Sequence, residues 1–193
     1  MIKKLNRLYF FVKRLLWKKK NPLWFITADV RIRDKEGRIV WEGKNCEASW
    51  NGLMDEGENN VLDVYFRNQN TPTTFYAGLG NSGGGAAEPP DNATLATITE
   101  LGASNTGYSR LQVERNTTGF PLLTLDDGDW MVQSKTITWT NTGATNWTAI
   151  DYVFLTDVAS GTTGKLILTV SVGTAKTLAP NQSLDVVLKI KAQ

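Results

Sequence analysis

The sequence contains no histidine. Histidine is the side chain whose charge changes near neutral pH and the commonest metal ligand, so triads, general bases and metal sites built on it are excluded. Cysteine occurs once, at Cys46. One thiol excludes an intrachain disulfide and a thiolate zinc cluster, and it fits a protein assembled inside a cell. Carboxylate chemistry survives these absences, because glycoside hydrolysis needs only two acids. Yet the pair Asp55 and Glu56 falls at an expected helix start, where the helix dipole accounts for it. No other acid pair stands apart from turns. An enzyme is therefore not expected, nor is a cofactor, a metal or a small-molecule substrate. The chain also lacks an uncharged apolar run long enough to span a bilayer.

What is present points to one folded body with an appendage. The 193 residues are 41% apolar and 21% charged, which is ordinary for a folded chain and short for two full domains. The body is rich in Thr, Gly, Asn and Val, the composition of strands joined by tight turns. The net charge of +2 conceals an asymmetry: residues 1–50 carry +8 and residues 51–193 carry −6. Charge divided in this way marks an arm with a role different from that of the body.

Residues 1–20 hold eight Lys and Arg and no acid. Leu5, Leu8, Tyr9, Val12, Leu15 and Leu16 recur at the spacing of one helical stripe. Lys4, Arg7, Arg14 and Lys18 project to the far side, and Phe10, Phe11 and Trp17 fall at its margins. Asn21-Pro22 is expected to end the helix. Lys13 and Arg14 interrupt any signal-peptide core, and no small-residue cleavage site follows. An amphipathic basic helix of this kind docks on a partner protein or neighbouring subunit. The alternatives are packing on its own body, an anionic membrane surface, or nucleic acid. The candidate partner-binding set is Lys3, Lys4, Leu5, Arg7, Leu8, Val12, Arg14, Leu15, Leu16 and Trp17.

The rest reads as mainly β. Leu23–Arg33 and Arg38–Glu42 form an expected hairpin around the turn Asp34–Gly37, and the second strand can extend toward Trp50. Asn51 can cap a helix whose firm part is Glu58–Arg67, because Gly52 and Gly57 weaken its first turns. Strands are predicted at Thr73–Leu79, Tyr108–Arg115, Trp130–Thr140, Ala149–Thr156, Lys165–Val172 and Leu184–Lys191. A short helical turn is predicted in Asn92–Glu100. Strands of this length separated by turn signals predict an antiparallel β-sandwich, jelly-roll-like, with one short helix. The expected division is a helical arm at 1–22, a hairpin extension at 23–50 and a sandwich domain at 51–193.

Several motifs have plainer readings. Gly78-Leu79-Gly80-Asn81-Ser82-Gly83 matches the dinucleotide pattern, but the following Gly84-Gly85-Ala86-Ala87-Glu88-Pro89-Pro90 is no helix start, so a flexible surface loop is expected. Asp126, Asp127 and Asp129 around Gly128 resemble a calcium loop without the closing bidentate Glu, and a β-turn is the better reading. The sequons at Asn92, Asn116, Asn146 and Asn181 are chance matches in an Asn- and Thr-rich chain. Of seven Trp residues, Trp147, between Asn146 and Thr148 in a turn region, is the candidate for an exposed ligand-binding platform.

From about Asn51 to Gln193 the chain resembles small β-sandwich virion proteins of tailed bacteriophages. The carriers are Gly57 with Val61–Arg67, Pro72–Leu79, Ile98–Glu100, Gly107–Arg110, Ser134–Trp139, Phe154–Thr156, Gly164–Leu166, and Thr177-Leu178 with Asn181–Leu184. The resemblance implies a capsid decoration, neck or tail-associated protein, located in the virion after assembly in the host cytoplasm. Its expected partners are other virion proteins and further copies of itself, met through the arm. The alternative is a carbohydrate- or receptor-binding module of a tail or fibre. No catalytic residue comes with the resemblance.

Overall fold

A computed structural model describes residues 24–47, 52–69, 71–83, 88–102 and 105–192. The expected arm helix lies outside these residues. Ten strands and one helix follow in order: β1 (Trp24–Arg33), β2 (Ile39–Glu47), α1 (Asp55–Arg67), β3 (Thr74–Gly80), β4 (Leu111–Glu114) and β5 (Leu122–Asp126). Then come β6 (Asp129–Gln133), β7 (Ile137–Thr140), β8 (Trp147–Thr156), β9 (Leu166–Leu178) and β10 (Ser183–Ala192). They build two antiparallel sheets, the sandwich that the spacing of strand and turn signals predicts. Sheet A runs β2-β1-β10-β6-β5, with β7 also pairing β10, and sheet B runs β4-β3-β8-β9.

The core comes from period-two alternation. Ile26, Ala28, Val30 and Ile32 of β1 and Leu184, Val186 and Leu188 of β10 point the same way and are buried. They meet Ala77, Leu79, Val153, Leu155, Leu168, Val170 and Val172 of sheet B in one cluster. Both strands of the hairpin, β1 and β2, lie in sheet A. β1 pairs β10 along its whole length, from Trp24 opposite Ala192 to Arg33 opposite Ser183. Its turn forms as expected: Gly37 has a φ of +81°, and Asp34 Oδ1 accepts the amides of Glu36 and Arg38.

Sheet B is buried on both faces. Its second face carries Tyr152, Phe154 and Leu166, covered by Met54, Ala93 and Leu95. Helix α1 is laid against β9 so closely that a Cβ on Gly57 would stand 2.0 Å from the Ile167 carbonyl oxygen. Gly57 is thus a packing requirement, which is why the helix begins at Asp55, before the firm part predicted from propensity. The residue at its N-terminal boundary is Met54, not Asn51, and no side chain caps it. Glu56 instead accepts the Leu166 amide at 2.7 Å.

Two strand assignments differ from expectation. Trp130–Thr140 is split into β6 and β7, because Ser134 interrupts the ladder: its Oγ accepts the Leu188 amide at 2.9 Å and donates to the Lys135 carbonyl. Leu122–Asp126, which lies between the expected strands, is β5. It pairs with β6 through the turn at Asp127 (φ +53°) and Gly128 (φ +86°), whose two positive φ values match the twist of a tight hairpin. Asn92–Glu100 holds a single turn, as expected, in which the Thr94 carbonyl accepts the amides of Thr97 and Ile98 at 2.9 and 3.1 Å.

Candidate interaction surfaces

The most polar buried site is a closed clamp. The Arg110 guanidinium donates to both oxygens of Glu100, at 2.9 and 2.7 Å, and to the carbonyls of Val158 and Gly161 at 3.0 and 2.9 Å. It also lies 5.4 Å from the centre of the Phe154 ring. The Tyr108 hydroxyl donates to Glu100 at 2.8 Å and accepts the Leu79 amide at 2.9 Å. Burial, reinforced by the Glu100 charge, holds the Tyr108 phenol far above its ordinary range. The clamp joins β3, the segment before β4 and the loop after β8. Its donors and acceptors are turned on one another, so it locks these three segments together.

The glycine motif has a similar explanation. Gly78 and Gly80 lie in β3 directly opposite Phe154 and Tyr152 of β8. A Cβ at either would stand 2.2 or 2.0 Å from the facing ring, so the missing side chains make room for two aromatics. Beyond them, Ser82 donates through both its amide and its hydroxyl to the buried Asp151, at 2.7 Å each. The start of the loop is therefore pinned rather than flexible.

Trp147 is not an exposed platform. It is 1% exposed, packed edge-on against Tyr108 with ring centres 5.9 Å apart. The turn around it is drawn inward by Asn141, whose side chain donates to the carbonyls of Thr145 and Leu178. The candidate arm residues Lys3, Lys4, Leu5, Arg7, Leu8, Val12, Arg14, Leu15, Leu16 and Trp17 lie outside the described residues. Among the described residues, no cluster of three or more His, Cys, Asp or Glu side chains is placed to hold a metal. Asp126 of the acidic turn instead engages Lys191 at 3.2 Å.

What the body does offer is apolar surface. On sheet A the inner row continues from Ile26 through Ile190 and Val132 to Leu123, each opposite the next in register. Leu125 and Trp130, another opposed pair, stand two residues further along the same face, as does Trp24 on β1. All face the same way as the core: Ile26 lies within it and Trp24 and Ile190 pack at its margin, whereas Leu123, Leu125 and Trp130 stand beyond sheet B, whose β9 lies on β1 and β2 and whose β4 meets β7. Leu123 is 66% exposed, Leu125 59% and Trp130 56%. Sheet A thus overhangs sheet B at the β5–β6 ribbon, and the overhang ends in Asp126, Asp127 and Asp129. A second exposed apolar stripe lies on α1, where Leu62, Tyr65 and Phe66 face outward at helical spacing.

The overhang was missed in the sequence because β5 was missed. The signal was there: an Asp-Gly turn flanked by Leu122–Leu125 and Trp130–Val132 is a strong short-range hairpin pattern. The opposite face of the same strands is mixed, with Leu122, Met131 and Phe25 among polar and charged side chains. There Lys189 is held by Asp29 and Asn45, and Lys191 by Asp126, so its lysines are engaged within the sheet.

Exposed apolar surfaces of this kind suit a body to assembly. A family model described as podophage GP4 fiber I protein gp80 matches residues 52–190. The chain belongs to that family. It is accordingly a structural protein of a phage virion, of the tail or fibre kind, associated with other virion proteins. No curated protein and no solved structure matches it. The matched region begins at Gly52, after the β1–β2 hairpin, although that hairpin supplies two strands of sheet A. The matched residues run from α1 through β3–β9 into β10, while the hairpin and the arm lie outside the match.

Proposed function

We propose that this gp80-family protein is a tail-associated fibre subunit, held in the particle by its N-terminal arm, with the sandwich as the unit that packs against neighbours. The observation that carries the reading is the pairing of a basic amphipathic arm with an acidic body whose apolar surfaces are exposed. Assembly of this kind requires only complementary packing and charge matching. Of the capsid, neck and tail positions implied by the sequence resemblance, the tail is favoured by the description of the family. The carbohydrate-binding alternative loses its main support, because Trp147 is a core residue. The arm's candidate contacts are Leu5, Leu8, Val12, Leu15 and Leu16 on the apolar side, and Lys3, Lys4, Arg7 and Arg14 on the basic side, with Trp17 at the margin.

The test is incorporation. Virions carrying the chain without residues 1–20 should lack the protein by mass spectrometry while the intact chain is found at full stoichiometry. Normal incorporation of the shortened chain would remove the anchoring role, and its absence from wild-type virions would remove the structural role.

A further inference from the structure

We propose that the overhang of sheet A receives the N-terminal arm of a second copy of this chain. This rests on reading the arm as an anchor, and it names the surface to which the arm is anchored. The apolar stripe from Leu5 to Leu16 lies across Ile190, Val132, Leu123, Leu125 and Trp130, and the lysines reach the acidic hairpin tip.

The dimensions agree. At 1.5 Å per residue a helical stripe from Leu5 to Leu16 is about 17 Å long. Ile26 is buried in the core, and the part of the row beyond it, from Ile190 to Leu123, crosses two interstrand spacings, or about 10 Å, so the stripe covers it with about one turn to spare. The chemistry agrees as well. The overhang is the core-facing side of an amphipathic sheet, so its exposed members are Leu and Trp rather than scattered surface polars. Contiguous apolar surface rimmed by charge is the mark of a protein contact. The overhang ends at an acidic turn, where Asp127 follows Leu125 at the tip while Asp126, held by Lys191, and Asp129 lie on the opposite face, against an arm with eight bases and no acid.

The connection of the arm selects a second copy as the donor. The arm joins the body at Trp24, the first residue of β1 and itself on the overhanging face, through only Asn21-Pro22-Leu23. Three residues span about 10 Å. A hinge this short, in which Pro22 restricts the residue before it, favours exchange of the arm between copies over a bend back onto the same chain. Because each copy sends out its arm beside the surface that receives one, two copies can exchange arms reciprocally.

Sedimentation of the full-length protein across a concentration series tests this, alongside the double variant Leu125→Asp with Trp130→Asp and the variant Asp127→Asn. The wild type should self-associate, and free peptide 1–20 should compete and release single chains. The double variant should raise the dissociation constant by about tenfold or more, since it places charge at the centre of an apolar contact. Asp127→Asn, which keeps a residue tolerant of positive φ, should weaken association by a few fold and lower its salt sensitivity. Association that ignores both variants but is lost with Tyr65→Asp and Phe66→Asp would overturn the proposal while leaving the arm as an anchor on α1. A single-chain species at every concentration would overturn it in favour of an arm packed on its own body. Peptide that competes with nothing would overturn it together with the anchoring role.

Discussion

Sheets A and B follow the same rule, apolar and polar residues alternating along antiparallel strands, but they treat their apolar faces differently. Sheet B is enclosed on both sides, by sheet A on one and by α1 and the 88–102 segment on the other, and its glycines and aromatics fit one another strand by strand. Sheet A is enclosed only where sheet B covers it. Beyond that line the inward-facing side chains persist, through Leu123, Leu125 and Trp130, which stay exposed among the described residues. Burial in sheet B stabilises the fold, whereas the same chemistry on the overhang is left for assembly. Damage to the two regions should therefore separate stability from association.

The largest effect is expected at the clamp. Arg110→Met leaves Glu100 and two carbonyls without their cation, and breaking a buried pair in this way costs about 3 kcal/mol or more. Urea unfolding should show that loss, and a midpoint shift of a few tenths of a molar or less would deny the clamp its role. Next is Gly80→Ala, which drives a methyl into the Tyr152 ring and should cost about 1–3 kcal/mol as overpacking. A neutral result there would mean that β3 and β8 can separate without loss, contrary to the tight enclosure of sheet B.

A smaller effect comes from Tyr152 itself. Its hydroxyl donates to the Thr99 carbonyl at 2.8 Å, and burial pushes its phenol up to about 12. The folded state holds the proton more tightly than the unfolded chain, whose phenol titrates near 10. This contribution is therefore complete below about pH 10 and lost as pH rises through about 12. Tyr152→Phe should cost about 1 kcal/mol at neutral pH. It should also flatten the alkaline decline measured by stability against pH, leaving the part due to Tyr108. The smallest effect on stability is expected from Leu125→Asp on the overhang, within about 0.5 kcal/mol. A large loss there would show that the overhang belongs to the core of the single chain.

Much of the architecture was legible in the sequence where pattern and turn chemistry agreed. The alternation in β1 and β10, and the Asp34–Gly37 turn, mark those strands and the hairpin without further information. Legibility failed where tertiary contacts override local preference. Gly57 reads as a helix breaker, but it is in the helix because β9 passes within 2.0 Å of where its Cβ would be. Gly78 and Gly80 match a phosphate-binding pattern, and their real partners, Phe154 and Tyr152, are more than 70 residues away in the chain. Trp147 sits in a turn by sequence and in the core by structure, because Asn141 folds the turn inward. The overhang could not be read from composition at all. Leu123 and Trp130 look like any core residues until the edge of the opposing sheet is known.

The most direct measurement is zero-length carbodiimide cross-linking of full-length protein assembled from equal parts of unlabelled and ¹⁵N-labelled chains, read by mass spectrometry. The expected result is links between arm lysines such as Lys13 or Lys18 and Asp126, Asp127 or Asp129, in mixed-label pairs that prove they join two copies. Links confined to one label, or links from the arm only to Asp55, Glu56 and Glu58 at the start of α1, would contradict the assignment of the overhang as the arm's receiving surface.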